Sequence, residues 1–275
     1  MRENSDNRKR AFADVVNIDA WHDSFSSSVS AVDLHADVVF GTARVGGDSQ
    51  SPVRFRLSIK RAEVIVIIPD SEPLAIDRKS VSRDTPELEG QFSELIEHTS
   101  RSSAGGGISG SISLKEVKAS ASTALEGKAN QSTFKKIELT GKIQLLLATQ
   151  SKTSDGHYRW SIESQTNGIL DGRPWDAVKQ PRLKLIDQRK DRARGIPPTV
   201  RVEVRCKRED LVIRDLQIKD ETLWESAKRR AGFKNKLAAA ESYIREHLSK
   251  EGLEVRNIED IFGSVTLAST TAESV

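Results

Sequence analysis

Residues 200–206 alternate between apolar and polar. Val200, Val202, Val204 and Cys206 fall on one side of an extended chain, and Arg201, Glu203 and Arg205 on the other. Period two marks a strand with one dry face and one wet face. The same pattern returns at Val53, Phe55, Leu57 and Ile59, and at Val32, Leu34, Ala36 and Val38. It returns again at Ile137, Leu139, Ile143, Leu145 and Leu147. Half-exposed strands of this kind belong to antiparallel sheets, not to a doubly wound parallel core. The predicted fold is therefore mainly β, a β-dominated α+β class. Its form is an antiparallel β-sandwich with a long C-terminal α-helix.

Turn residues punctuate the pattern. Ser154-Asp155-Gly156 separates residues 135–149 from 157–163 and predicts a hairpin between them. Strands are also predicted over 62–68, around Leu183 and Leu185, and over 211–218. A helix is predicted over 222–250. Thr222 with Glu225 three residues on makes a capping box, Leu237, Ala240, Ile244 and Leu248 share one face, and Gly252 is a stop. A second, short helix is predicted over 86–98, where Leu88, Phe92, Leu95 and Ile96 have helical spacing.

These elements divide the chain. Residues 1–12 read as a disordered polar tail, 13–220 as the β-sandwich domain, 221–268 as a helical segment and 269–275 as a loose tail. Within the sandwich, 99–133 is a flexible segment rich in Gly, Ser and Ala, or a pair of thin, glycine-weakened strands.

Composition narrows the function more by exclusion than by assertion. One cysteine, Cys206, rules out an internal disulfide and a multi-cysteine metal site, and its dry-face position marks a buried, inert thiol. The charged start of the chain is followed by no apolar segment of a secretory signal. The longest apolar run, Val64–Ile68, is far short of the roughly 20 residues that span a bilayer as a helix. A cytoplasmic protein without a transmembrane segment is expected. P-loop, nucleophile-elbow and HExxH patterns are absent, and no cofactor is implied.

Charge is uneven along the chain. Residues 11–100 carry 8 Lys/Arg against 15 Asp/Glu, a net of −7. Residues 173–236 carry 19 against 10, a net of +9. The basic block over 182–236 supplies the candidate anion- or nucleic-acid-binding residues. They are Arg182, Lys184, Arg189, Lys190, Arg192, Arg194, Arg201, Arg205, Lys228, Arg229, Arg230 and Lys234. The candidate metal ligands are Asp33, His35 and Asp37, which period two puts on one strand face.

The leading functional expectation is a non-enzymatic interaction or assembly module with a basic C-terminal surface, its partner being another protein or a second copy of the chain. The alternative is a nucleic-acid-binding protein using the basic block. A third class comprises an enzyme with a dispersed site, or a membrane-inserting β-hairpin protein. The last rests on small polar residues alternating with apolar ones in the Gly/Ser tract, as in a barrel wall, although 118–124 brings little bulk and no aromatic girdle.

Overall fold

A computed structural model of the 275-residue chain describes residues 7–47, 51, 53–83, 89–99, 134–144, 146–164, 168–191, 196–218, 232–256, 258 and 260–275. Two units are distinguished, one made of residues 1–87 with 146–275, the other of residues 88–145.

The larger unit is a β-sandwich with one helix near its C-terminus among the described residues. One sheet runs in the order β1 (Arg8–Arg10), β15 (Ser264–Thr271), β13 (Arg201–Lys207), β6 (Arg61–Ile67), β11 (Tyr158–Ser164) and β10 (Leu146–Lys152). A second runs β16 (Glu273–Ser274), β2 (Val16–His22), β3 (Ala31–Phe40), β12 (Leu183–Asp187) and β7 (Leu74–Asp77). A third runs β14 (Leu211–Ile218), β5 (Val53–Ile59) and β4 (Ala43–Gly46). Pairing is antiparallel except between β16 and β2.

The dry positions become the core. Val202, Val204, Leu34, Ala36, Leu57 and Val64 are wholly buried and belong to one apolar cluster. Two tryptophans lie in it, and both indole N–H groups are satisfied. Trp175 donates to Ala36 O at 2.6 Å and Trp160 to Ser82 O at 2.9 Å. Unpaired, each would carry a desolvation cost of about 1–3 kcal/mol.

Local punctuation works as expected. The β10–β11 turn has Gly156 at φ +84°, a conformation that L side chains rarely adopt. Its neighbour Thr153 receives the Gly156 N–H. The helix α1 (Gly232–Lys250) buries Ala240, Ile244 and Leu248 completely. It ends in a Schellman motif: Gly252 lies at φ +66°, its N–H bonds Ser249 O, and the Leu253 N–H bonds Leu248 O. The capping box at Thr222 lies outside the described residues.

Four expectations are corrected. First, the helix predicted over 86–98 is not formed by its described residues, 89–98. Residues 89–99 are a strand, β8 (Glu89–Thr99). The helical spacing of four apolar residues is overridden by a long partner strand, and Gly90 already weakens a helix by about 1 kcal/mol. Second, residues 134–144, or β9 (Phe134–Gln144), pair with β8, so the predicted hairpin is formed by β10 and β11 alone. Third, the 1–12 tail contains β1, paired to β15. Fourth, the 269–275 tail is ordered: it completes β15 and adds β16 alongside β2. Such edge pairing uses backbone N–H and C=O groups, which composition does not report.

The smaller unit, residues 88–145, contains a two-stranded antiparallel ribbon. Its register runs without a break from Glu89↔Gln144 to Thr99↔Phe134. With 11 residues per strand, each strand is roughly 35 Å long.

Candidate functional site

The basic block does not assemble on one sheet. Lys184 and Arg189 lie on and just after β12 of the five-stranded sheet, whereas Arg201 and Arg205 lie on β13 of the six-stranded sheet. Each is locally committed. Lys184 Nζ is 3.6 Å from Asp33. Arg189 pairs with buried Asp187 at 2.7 Å, and hydrogen bonding to that carboxylate raises the arginine's pKa. Arg201 and Arg205 both bind Glu203, at 2.8 and 2.7 Å. Arg182 is not a surface residue at all, being 1% exposed. Its Nε and Nη2 donate to Gln180 O at 3.1 and 2.9 Å, and its Nη1 has no hydrogen-bond partner among the described residues. Burial lowers its pKa to about 10. Lys190 is exposed. Arg192, Arg194, Lys228, Arg229 and Arg230 lie outside the described residues, as does the side chain of Lys234.

Asp33, His35 and Asp37 share a face of β3, but each is engaged elsewhere. Asp33 holds Lys184, and Asp37 accepts from Arg173 at 3.0 and 3.4 Å. His35 Nδ1 lies 2.7 Å from Ala177 O, and its ring stacks on Trp21 with centroids 5.3 Å apart. Among the described residues no group of three His, Cys, Asp or Glu is placed to hold a metal ion.

The β8–β9 ribbon is the more informative surface. Directly opposed residues of an antiparallel pair share a face. Gly90, Phe92, Glu94 and Ile96 are opposed by Ile143, Gly141, Leu139 and Ile137. That face is apolar over most of its length, broken by Glu94 and closed at its far end by the pair His98 and Lys135. The other carries Glu89, Gln91, Ser93, Leu95, Glu97 and Thr99 against Gln144, Lys142, Thr140, Glu138, Lys136 and Phe134. Glu97 and Lys136 are direct register partners of opposite charge. The β9 half of this division was legible as alternation at Ile137, Leu139 and Ile143. The β8 half was hidden beneath the apparent helical spacing.

Among the described residues no helix is long and apolar enough to cross a membrane, and that test does not address strands. No protein-family model matches the chain, and no curated protein matches it. Among solved structures it is similar to the Clostridium perfringens NetB toxin in its membrane-inserted form. The two are 11% identical over 69% of this chain and 83% of the other, with a TM-score of 0.21. A score that low does not establish a shared fold.

Proposed function

We propose that the protein inserts into membranes, the β8–β9 ribbon supplying two strands to a transmembrane β-barrel shared between several copies of the chain. The observation that carries this reading is that, on unbroken strands of 11 residues, Phe92, Ile96, Ile137, Leu139 and Ile143 share one face while the other is mainly polar, with Glu94, His98 and Lys135 interrupting the first and Leu95 and Phe134 the second. A bilayer-spanning strand needs about 9–11 residues with alternating character, apolar toward lipid and polar toward the lumen. The sequence between the strands keeps most of the parity, with Ala124 out of step. Ala104, Ile108, Ile112 and Leu114 are even-numbered like Phe92 and Ile96, while Val117, Ala119, Ala121, Leu125 and Ala129 are odd-numbered like Ile137 and Leu139.

Self-association follows from the same physics. Unpaired strand edges are not tolerated in hydrocarbon, so one ribbon cannot span alone. Small membrane barrels have about eight strands, so about four or more copies are needed. The expected homo-oligomer and assembly role thereby acquires a purpose. In this reading the chain is made as a soluble cytoplasmic protein and inserts afterwards.

Release of a trapped dye from phosphatidylcholine vesicles tests the proposal. The unmodified protein is expected to release dye. Ile137→Asp, on the apolar face, is expected to abolish release while leaving the melting of the larger unit unchanged. A basic side chain facing lipid costs about 2–4 kcal/mol at mid-bilayer, and an acidic one costs less but is still unfavourable. Glu138→Gln, on the polar face, is expected to release dye normally. Intact vesicles with the unmodified protein at every protein-to-lipid ratio refute the reading.

A further inference from the structure

Across the three-stranded sheet, Arg44 of β4 lies directly opposite Arg56 of β5, and Arg56 lies directly opposite Arg214 of β14. Three arginines therefore stand abreast on one face, and all three are exposed. Like charges directly opposed across strands destabilise a sheet. A fourth, Arg54, stands on the same face two residues along β5. Arg44, Arg54 and Arg56 line a cavity of about 430 Å³ together with Phe55, Asp215, Leu216 and Gln217, and Arg214 stands beside it, next to Asp215 in the chain. Asp215 is the sole carboxylate in that lining, and it pairs with Arg56 at 3.0 Å. Among the described residues Arg44, Arg54 and Arg214 have no carboxylate partner.

The local backbone is specialised around this row. The β14–β5 register shifts between Arg214 and Gln217, and Asp215 in that bulge has φ +53°, the left-handed region. On the other side, Gly46 has φ +74°, and a Cβ there would fall 2.0 Å from Val53 O. Only glycine lets β4 run this close to β5. The neighbouring Gly47 leaves room for the Arg54 stem, which a Cβ at that position would approach to 3.0 Å. On the opposite face of this sheet Phe55 meets Tyr243 of α1 edge-on, with centroids 6.1 Å apart, so the arginine face is the one left to solvent.

We propose that this arginine row is a binding site for a phosphoryl group. Guanidinium forks match the oxygens of a phosphate, each able to donate two parallel hydrogen bonds. The four arginines less Asp215 leave an excess of three positive charges, two of which a phosphomonoester dianion would neutralise. The row is two strand spacings wide, roughly 10 Å, which suits one compact anionic group better than the track of a polynucleotide. The shared chemistry is the phosphoryl group, carried either by a free small molecule or by a lipid headgroup. The site does not depend on insertion of the β8–β9 ribbon.

The test follows melting temperature against inorganic phosphate, with chloride holding ionic strength constant. The unmodified protein is expected to melt higher as phosphate is added, because a ligand that binds the folded state stabilises it. The triple variant Arg44→Gln, Arg56→Gln, Arg214→Gln is expected to melt slightly higher without phosphate and to show no rise with it. A control of equal charge change, Lys60→Gln, Lys79→Gln, Lys207→Gln, is expected to respond like the unmodified protein. In a second arm, phosphatidylcholine vesicles with and without phosphatidic acid are sedimented with each protein. Loss of phosphatidic-acid binding by about tenfold in the arginine variant alone identifies a headgroup as the source. A response to inorganic phosphate without vesicle binding identifies a free ligand. Ile137→Asp is expected to retain every one of these responses, which separates this site from the insertion reading. The proposal is overturned if neither probe binds, or if the lysine control loses as much binding as the arginine variant. It is equally overturned if the row proves to bind duplex DNA without competition by phosphate.

Discussion

The guanidinium of Arg182 lies over the ring of Trp175, 4.3 Å from its centroid, and both residues are 1% exposed. A desolvated cation over an indole gains about 2 kcal/mol or more, against the cost of removing the charge from water. Burial lowers the arginine's pKa from its ordinary value to about 10, so it is still charged at neutral pH. Because the folded-state value is the lower one, the folded protein releases this proton first. Its contribution therefore favours folding more as pH rises from about 10 toward the ordinary arginine value, and at neutral pH the buried charge is a net expense. Arg182→Met is expected to unfold at an equal or higher urea concentration. Arg182→Ala, which leaves a void beside the ring, is expected to lose about 2–4 kcal/mol. Tryptophan fluorescence during urea unfolding reads both. A methionine variant as unstable as the alanine variant would show that the charge itself holds the core.

Cys206 is 4% exposed on β13, and burial raises its thiol pKa. The thiolate is the reactive form, so native protein is expected to give no reaction with Ellman's reagent at pH 8. Full reaction is expected in concentrated guanidinium. Stoichiometric labelling of native protein would place the thiol at the surface and the strand face the wrong way round.

Val202 is wholly buried between β15 and β6. Val202→Asp places an unpaired carboxylate there and is expected to abolish cooperative melting, since the cost is several kcal/mol against a total stability of about 5–15 kcal/mol. Circular dichroism on heating measures it.

Glu203 is 6% exposed and accepts from two arginines, Arg201 and Arg205. Glu203→Gln removes the charge and leaves both guanidinium groups with a weaker partner. Arg201 is half-exposed, so solvent screening discounts the loss to about 1–2 kcal/mol. Chemical denaturation is the measurement, and an unchanged midpoint would show that the two pairs contribute nothing.

On the ribbon, the face assignment makes a positional prediction. A polarity-sensitive dye is attached to single cysteines placed along β9 in a Cys206→Ala background. With vesicles it is expected to brighten at positions 137, 139 and 143 and to stay dim at 136, 138, 140 and 142. Equal brightening at neighbouring positions would mean that the ribbon does not meet lipid as a strand.

Much of the architecture was determined by the sequence alone, because it depends on neighbours along the chain. The alternation at Val200–Cys206 and Val53–Ile59 specified the buried apolar positions, since successive strand residues face opposite ways, but Glu203 and Ser58, expected on the wet side, are buried as well. The stripe of Ala240, Ile244 and Leu248 specified the buried face of α1, and Gly252 its stop. What tertiary structure decided is partnership. Nothing local tells residues 89–99 that a matching strand lies at 134–144, so the helical spacing of Phe92, Leu95 and Ile96 misleads. Nothing local shows that Arg182, in a run of basic residues, goes inside among indoles. Arg44, Arg56 and Arg214 are separated by many residues, and only the register of β4, β5 and β14 sets them side by side. Burial follows from the period of the chain, whereas a site built across strands follows from which edges hydrogen-bond, a choice made between segments far apart in sequence.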